Sequence, residues 1–198
     1  MDISSVSWAY LAAIVDGEGT PEFQFNKRYK SHLNVRAFPR LTVVNTSYPL
    51  IKWLKTTFGG YVQVHKRKTV KRNYAGSCSQ DWKKCYEWRL GRRDDLKRVL
   101  EGILPFCIVK RERVMKALRI INILEKMPRV IYRDANTLPL RLKALRMATN
   151  GKSISEIAKT LKLDWQNVRY WVKGSPNKLE EVELFMHCVD ELKTIPIP

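Results

Sequence analysis

Between Ser7 and Gly19 the chain reads S-W-A-Y-L-A-A-I-V-D-G-E-G, an apolar helical run that ends in two acids, each followed by glycine. Tyr10, Leu11, Ala12, Ala13, Ile14 and Val15 carry almost no polar surface, so the helix they form is expected to be buried on most sides. Ala12 and Ala13 are small enough to let another backbone come close. Gly17 and Gly19 stop the helix. Asp16 and Glu18 then fall at its C-terminus, where the aligned peptide dipoles already place partial negative charge; an acid there costs about 0.3–1 kcal/mol. Two acids at the end of an apolar helix mark a place for a cation.

The rest of the chain carries the opposite charge. Its 198 residues fit one or two domains and hold 37 Lys and Arg against 19 acids, a net +18. An excess of this size points to a polyanionic partner. It is uneven: residues 1–133 are net +16, residues 134–198 only +2, and within the first part residues 20–92 hold 16 basic and 3 acidic side chains. The nucleic-acid surface is therefore expected in residues 20–92. No run is long enough to span a membrane, and no secretory signal stands at the N-terminus, so an intracellular location is expected. The basic residues are spread over strand-like segments rather than along one amphipathic helix, which disfavours a membrane surface. Cys78, Cys85, Cys107 and Cys188 match no zinc spacing and read as free thiols.

Strand-like alternation recurs through that basic part. Glu22 to Tyr29 sets Phe23 and Phe25 against Gln24, Asn26 and Arg28. Leu33 to Asn45 sets Leu33, Val35 and Ala37 against Asn34 and Arg36, with a break or bulge expected at Pro39, after which Arg40 and Thr42 alternate with Leu41 and Val43. Residues 47–58 predict a helix, with Pro49 in its first turn and Gly59-Gly60 as its stop. Tyr61 to Lys68 alternates Val62 and Val64 with Gln63, His65 and Arg67. Residues 71–84, which include Arg72, read as a polar basic loop, and Tyr86, Trp88 and Leu90 alternate with Glu87 and Arg89 in a fourth strand. Helices are expected over 94–104, with Asp94 and Asp95 at the favourable end, and over 110–127, with Val114, Leu118, Ile121 and Leu124 as the apolar stripe.

Leu11 to Gly19, L-A-A-I-V-D-G-E-G, resembles the signature nonapeptide of the LAGLIDADG homing endonucleases, with alanine at the third position and glutamate as the last acid. Leu104-Pro105-Phe106 followed by Lys110 resembles that family's L-P-F-x-x-x-K segment, and Asn45 falls where the family carries a polar residue near the nucleophilic water. The resemblance covers about residues 5–127. It implies an α+β fold of order αββαββα, with a concave antiparallel sheet that grips DNA and with helices behind it. It implies that two signature helices pack side by side through small residues, with Leu11, Ala12 and Ala13 at the interface. Carried over by position, Glu18 is the metal-binding acid, the backbone carbonyl of Gly17 a second ligand, and Lys110 and Asn45 act in catalysis. The metal implied is divalent, Mg2+ first. One motif per chain implies a homodimer and a roughly palindromic double-stranded DNA target.

A second, helical domain is expected over residues 131–198, after an endonuclease domain over 1–130. Residues 128–138 read as a linker and Leu140 to Ala148 as a helix. Ser153 to Glu156 has capping-box form, and a further helix begins at Asp164. Ile157, Ala158, Leu161, Leu163, Val168 and Trp171 hold the apolar positions of a helix-turn-helix, which the segment resembles, with Lys162 where the turn often carries glycine. Gln166, Asn167 and Arg169 then fall on the recognition helix. Residues 179–198 read as an amphipathic packing helix built on Leu179, Val182, Leu184, Phe185, Val189 and Leu192.

Together these features predict a site-specific homing endonuclease that hydrolyses one phosphodiester on each DNA strand with divalent metal. Two rival readings fit the same sequence. One is an RNA maturase, because the basic sheet alone does not separate A-form from B-form recognition. The other is a non-catalytic helix-turn-helix DNA-binding regulator, against which the retention of Glu18 and Lys110 argues.

Overall fold

The computed structural model describes residues 3–25, 37–65, 84–128, 137–174 and 178–196. The chain divides into two compact units, with a division between Ile121 and Asn122.

In the first unit the elements run α1 (Ser5–Gly17), β1 (Gly19–Phe25), β2 (Ala37–Asn45), α2 (Tyr48–Phe58), β3 (Tyr61–His65), β4 (Cys85–Leu90), α3 (Arg93–Ile103) and the start of α4 (Arg111–Lys126). This is the expected α+β order, αββαββα with an added helix. The four strands form one sheet in the order β1-β2-β4-β3, and β4 pairs antiparallel with both β2 and β3. Pro39 does not break β2, because the pairing with β4 begins two residues later, at Leu41; a proline before the paired stretch costs no ladder bond there.

Alternation sorts the sheet into two faces. Leu41, Val43, Trp88 and Leu90 pack with Leu11, Ala12 and Val15 of α1, with Ile51, Leu54 and Phe58 of α2, and with Leu96, Leu100 and Ile103 of α3. The opposite face carries Arg40, Thr42, Glu87, Arg89, Tyr61, Gln63 and His65, placed by the register that sets Thr42 and Tyr61 beside Arg89, and Gln63 beside Glu87. The Gly59-Gly60 stop is demanded by packing. Gly60 has φ 81°, and a Cβ there would come within 2.6 Å of the Arg89 carbonyl oxygen. The indole N–H of Trp88 donates to the Gly59 carbonyl at 2.7 Å and ties the turn to β4.

The second unit contains α5 (Leu138–Thr149), α6 (Ile154–Leu161), α7 (Trp165–Arg169) and α8 (Leu179–Lys193). Pro139 lies in the first turn of α5 and opens that helix instead of closing a linker, since proline has no N–H to lose there. Ala144, Ile157, Ala158 and Val168 form a small core, with Leu161, Leu163 and Trp171 against it. Ser153 and Glu156 complete the capping box of α6. Lys162 takes the left-handed conformation, φ 53° and ψ 45°, in the turn to α7, the conformation that glycine adopts without steric cost. Val182, Phe185 and Val189 of α8 pack on Leu138 and Leu145 of α5. Leu184 is exposed and does not join them.

Candidate active site

The two acids at the end of α1 do different work. Asp16 is turned toward the segment that opens α4. Its carboxylate accepts the main-chain N–H groups of Ile108 at 2.7 Å, Val109 at 3.2 Å and Lys110 at 2.9 Å. Burial pushes this carboxyl up, but the three amide bonds outweigh it and hold Asp16 below the usual carboxylate value. Asp16 is thus a structural clasp across more than ninety residues of chain. Glu18 follows as the cap residue of α1, where its own N–H closes the helix on Ile14 and Val15, and its side chain is exposed.

The Glu18 carboxylate accepts a hydrogen bond from the Asn45 side-chain amide, at the last residue of β2. The Asn45 side-chain oxygen in turn accepts the main-chain N–H of Ser47 at 2.7 Å, which fixes which end of the amide faces Glu18. Lys110 reaches back to the same helix end. Its ammonium donates to the carbonyls of Val15 at 2.9 Å and Gly19 at 2.7 Å. Glu18, Asn45 and Lys110, spread over the sequence, therefore meet at the C-terminus of α1. Gly19 makes this possible, because a Cβ there would lie 2.6 Å from the Val15 Cα.

The donors here suit a hard divalent cation. A carboxylate and helix-end carbonyls are oxygen ligands, the kind that magnesium and calcium prefer. Among the described residues no group of three or more His, Cys, Asp or Glu side chains is placed to hold a metal ion.

Not all of the expected interface residues face outward. Leu11 and Ala12 are 0% exposed, within the core of their own chain, and have no surface to offer a partner. The helix is apolar all round, so its sequence did not show which side faces inward. The exposed side carries Val6 at 75%, Tyr10 at 53%, Ala13 and Gly17. These recur at helical spacing and form one stripe.

On the sheet, Arg40, Thr42, Gln63, His65 and Arg89 share the polar face, as expected. Two of the basic groups are already engaged with Glu87, which accepts from His65 and from Arg89. Arg40 is ion-paired with Glu22, its Nε donating at 2.6 Å. Thr42 is buried, and among the described residues its hydroxyl has no partner. Gln24 is a residue of β1. Asn26, Arg28, Arg36, Arg67, Lys68, Arg72 and Cys78 lie outside the described residues. Cys107 and Cys188 are free thiols, and both are buried. Burial and the nearby Asp16 charge push the Cys107 thiol up to about 11.

In the second unit Gln166, Asn167 and Arg169 are exposed on α7. Asp164 caps that helix by accepting the main-chain N–H groups of Gln166 at 2.8 Å and Asn167 at 3.1 Å. The Arg169 guanidinium lies 5.2 Å from the centre of the Trp165 ring. No helix among the described residues is long and apolar enough to cross a membrane.

No protein-family model and no curated protein sequence matches the chain. Among solved structures it is similar to the homing endonuclease I-CvuI, crystallised with a target in the presence of magnesium, at 21% identity over 96% of this chain and 97% of that one, with a TM-score of 0.46. It is also similar to the homing endonuclease I-TnaI, at 16% identity over 97% and 99% of the two chains and a TM-score of 0.44. A third is the archaeal intron-encoded homing endonuclease I-Vdi141I complexed with DNA, at 16% identity over 95% and 97%, with a TM-score of 0.43.

Proposed function

We propose that this chain is a site-specific homing endonuclease of the LAGLIDADG type, which cuts double-stranded DNA as a homodimer with a divalent metal, magnesium first. The observation that carries this reading is the convergence of Glu18, Asn45 and Lys110 at the end of the signature helix. Asn45 was singled out by resemblance, and Lys110 with it, while Glu18 also stood out as an acid at an apolar helix end; nothing in their spacing requires them to meet.

In this reading the Glu18 carboxylate and the Gly17 carbonyl hold the cation, and DNA phosphate oxygens and a second copy of the chain complete its ligands. When bound, the metal supplies an activated water and neutralises charge at the leaving oxygen. Asn45 holds Glu18 in place through an amide that Ser47 has already oriented. Lys110 commits two of its three ammonium N–H groups to Val15 and Gly19, which leaves one for a phosphate oxygen as negative charge develops on it.

The homodimer is supported by Gly17. Nothing lies within 4 Å of a Cβ built there, and its backbone is ordinary helix. Glycine in a helix costs about 1 kcal/mol relative to alanine. Packing within the described part of the chain gives no reason for that cost, whereas close approach of a second α1 does. The exposed stripe of Val6, Tyr10 and Ala13 continues that surface. The second unit then extends the target, with Gln166, Asn167 and Arg169 reading base edges outside the cut centre. Selection of cleaved products from a random DNA library, with magnesium and with excess chelator, tests the reading. It predicts one roughly palindromic site, cut only with metal.

A further inference from the structure

Glu87 is an acid inside the polar face of the sheet, in the most basic stretch of the sequence. Its side chain is only 6% exposed. Burial pushes its carboxyl up, but hydrogen bonds from His65 and Arg89 hold it below its ordinary value, so it stands charged at neutral pH. A buried carboxylate on a surface meant for phosphates repels the ligand unless it does something else.

What it does is fix Arg89. The Arg89 Nε donates to Glu87 Oε1 at 2.8 Å, and Nη2 donates to the same oxygen. Nη1 donates to the Tyr61 hydroxyl at 2.8 Å, and the guanidinium lies 5.5 Å from the centre of the Tyr61 ring. Three of the five guanidinium N–H groups are thereby used. Among the described residues the two left over are one on each terminal nitrogen, within reach of two acceptors on one edge. The Arg89 side chain keeps 26% of its surface open, on the central strand of its three-strand neighbourhood.

Charge decides what such a group is for. Phosphate contacts gain from released counterions, in proportion to net positive charge. Pairing with Glu87 cancels that charge and keeps the geometry. A neutralised, fixed fork suits base edges better than phosphates, because base contacts need direction and phosphate contacts need charge.

We infer that Glu87 is a positioning residue for base readout, holding Arg89 so that its two remaining N–H groups meet O6 and N7 of a guanine in the major groove. The inference rests on the double-stranded DNA reading above, and it gives the target a guanine at one defined position in each half-site.

The test selects bound DNA, not cleaved DNA, from a randomised library, using the wild type, Glu87→Gln and Arg89→Lys. The wild type should enrich guanine at one position per half-site. In both variants that enrichment should fall about tenfold, since a bidentate pair discriminates by about 1–3 kcal/mol. Preferences elsewhere should hold in both variants, and the salt dependence of binding should hold in Arg89→Lys, which changes no charge. Arg89→Lys keeps the charge at a partly open position, so it serves if Glu87→Gln unfolds. The inference is overturned if the wild type shows no such guanine, if Arg89→Lys loses the preference while a folded Glu87→Gln keeps it, or if every position relaxes together. A chain that enriches no DNA sequence overturns the DNA reading as well. One that enriches a sequence but never cuts it overturns only the nuclease reading.

Discussion

The Asp16 carboxylate accepts the main-chain N–H of Lys110 at 2.9 Å, while the Lys110 ammonium returns to the carbonyls on either side of Asp16, at Val15 and Gly19. The end of α1 and the start of α4 are thus clasped in both directions. Asp16 is held by main-chain bonds, and Glu18 is the acid that the proposed function gives to the metal.

Asp16→Asn should therefore lower stability without touching the metal ligand. Loss of the charge from three amide bonds should cost about 1–3 kcal/mol in denaturant unfolding near neutral pH. The pH dependence has a definite sign. The folded-state pKa lies below the ordinary value of 3.8, so the contribution is fully present above 3.8 and is lost as pH falls through the lower, folded value. The gap between wild type and variant should be constant from neutral pH down to about 4 and should close below that.

Lys110→Met removes both a clamp and a charge. Cleavage should slow by about a hundredfold, the usual scale for losing one group that stabilises developing negative charge. Single-turnover rates beside gel-shift affinities would show the loss in rate and little change in binding. An equal loss in both would make Lys110 a binding group only.

The two glycines of the nonapeptide should separate in the same way. Gly17→Ala has open space within the chain and should stabilise the monomer by about 1 kcal/mol. It should also weaken the dimer, seen as a shift toward monomer in sedimentation. Gly19→Ala meets the Val15 main chain at 2.6 Å and should destabilise the chain itself. A dimer unaffected by Gly17→Ala would remove α1 from the interface.

Much of this was legible in the sequence. The strands and helices of the first unit followed from period-two and period-3.6 patterns with glycine and proline stops, and the small core of the second unit followed from the apolar positions Ile157, Ala158 and Val168. The exposed side of α1 was not legible, because a helix with apolar residues all round carries no facing signal, and Leu11 and Ala12 turned inward. Nor could the local sequence tell Asp16 from Glu18. Both sit at one helix end, and what separates them is contact with residues 108–110, far along the chain. The pairing of His65 and Arg89 with Glu87 was hidden for the same reason: cross-strand register decides it, and alternation gives faces but not partners.

For the second unit, replacing Gln166, Asn167 and Arg169 together with alanine changes an exposed face and leaves the Val168 core intact. A nuclease-protection footprint should shorten at its outer ends, with metal-dependent cutting retained. An unchanged footprint would make the unit a packing element rather than a reader of DNA.

The central claim is that Glu18 is the metal-holding acid. Glu18→Gln keeps the size and the hydrogen bond to Asn45 and removes the charge. The decisive measurement is cleavage of one cognate site beside a gel-shift on the same DNA, for wild type and Glu18→Gln, with magnesium and with excess chelator. The account predicts that the variant binds the site nearly as well as wild type and does not cut it, and that wild type cuts only with magnesium. Full cleavage by Glu18→Gln, or equal cleavage by wild type in chelator, would contradict it.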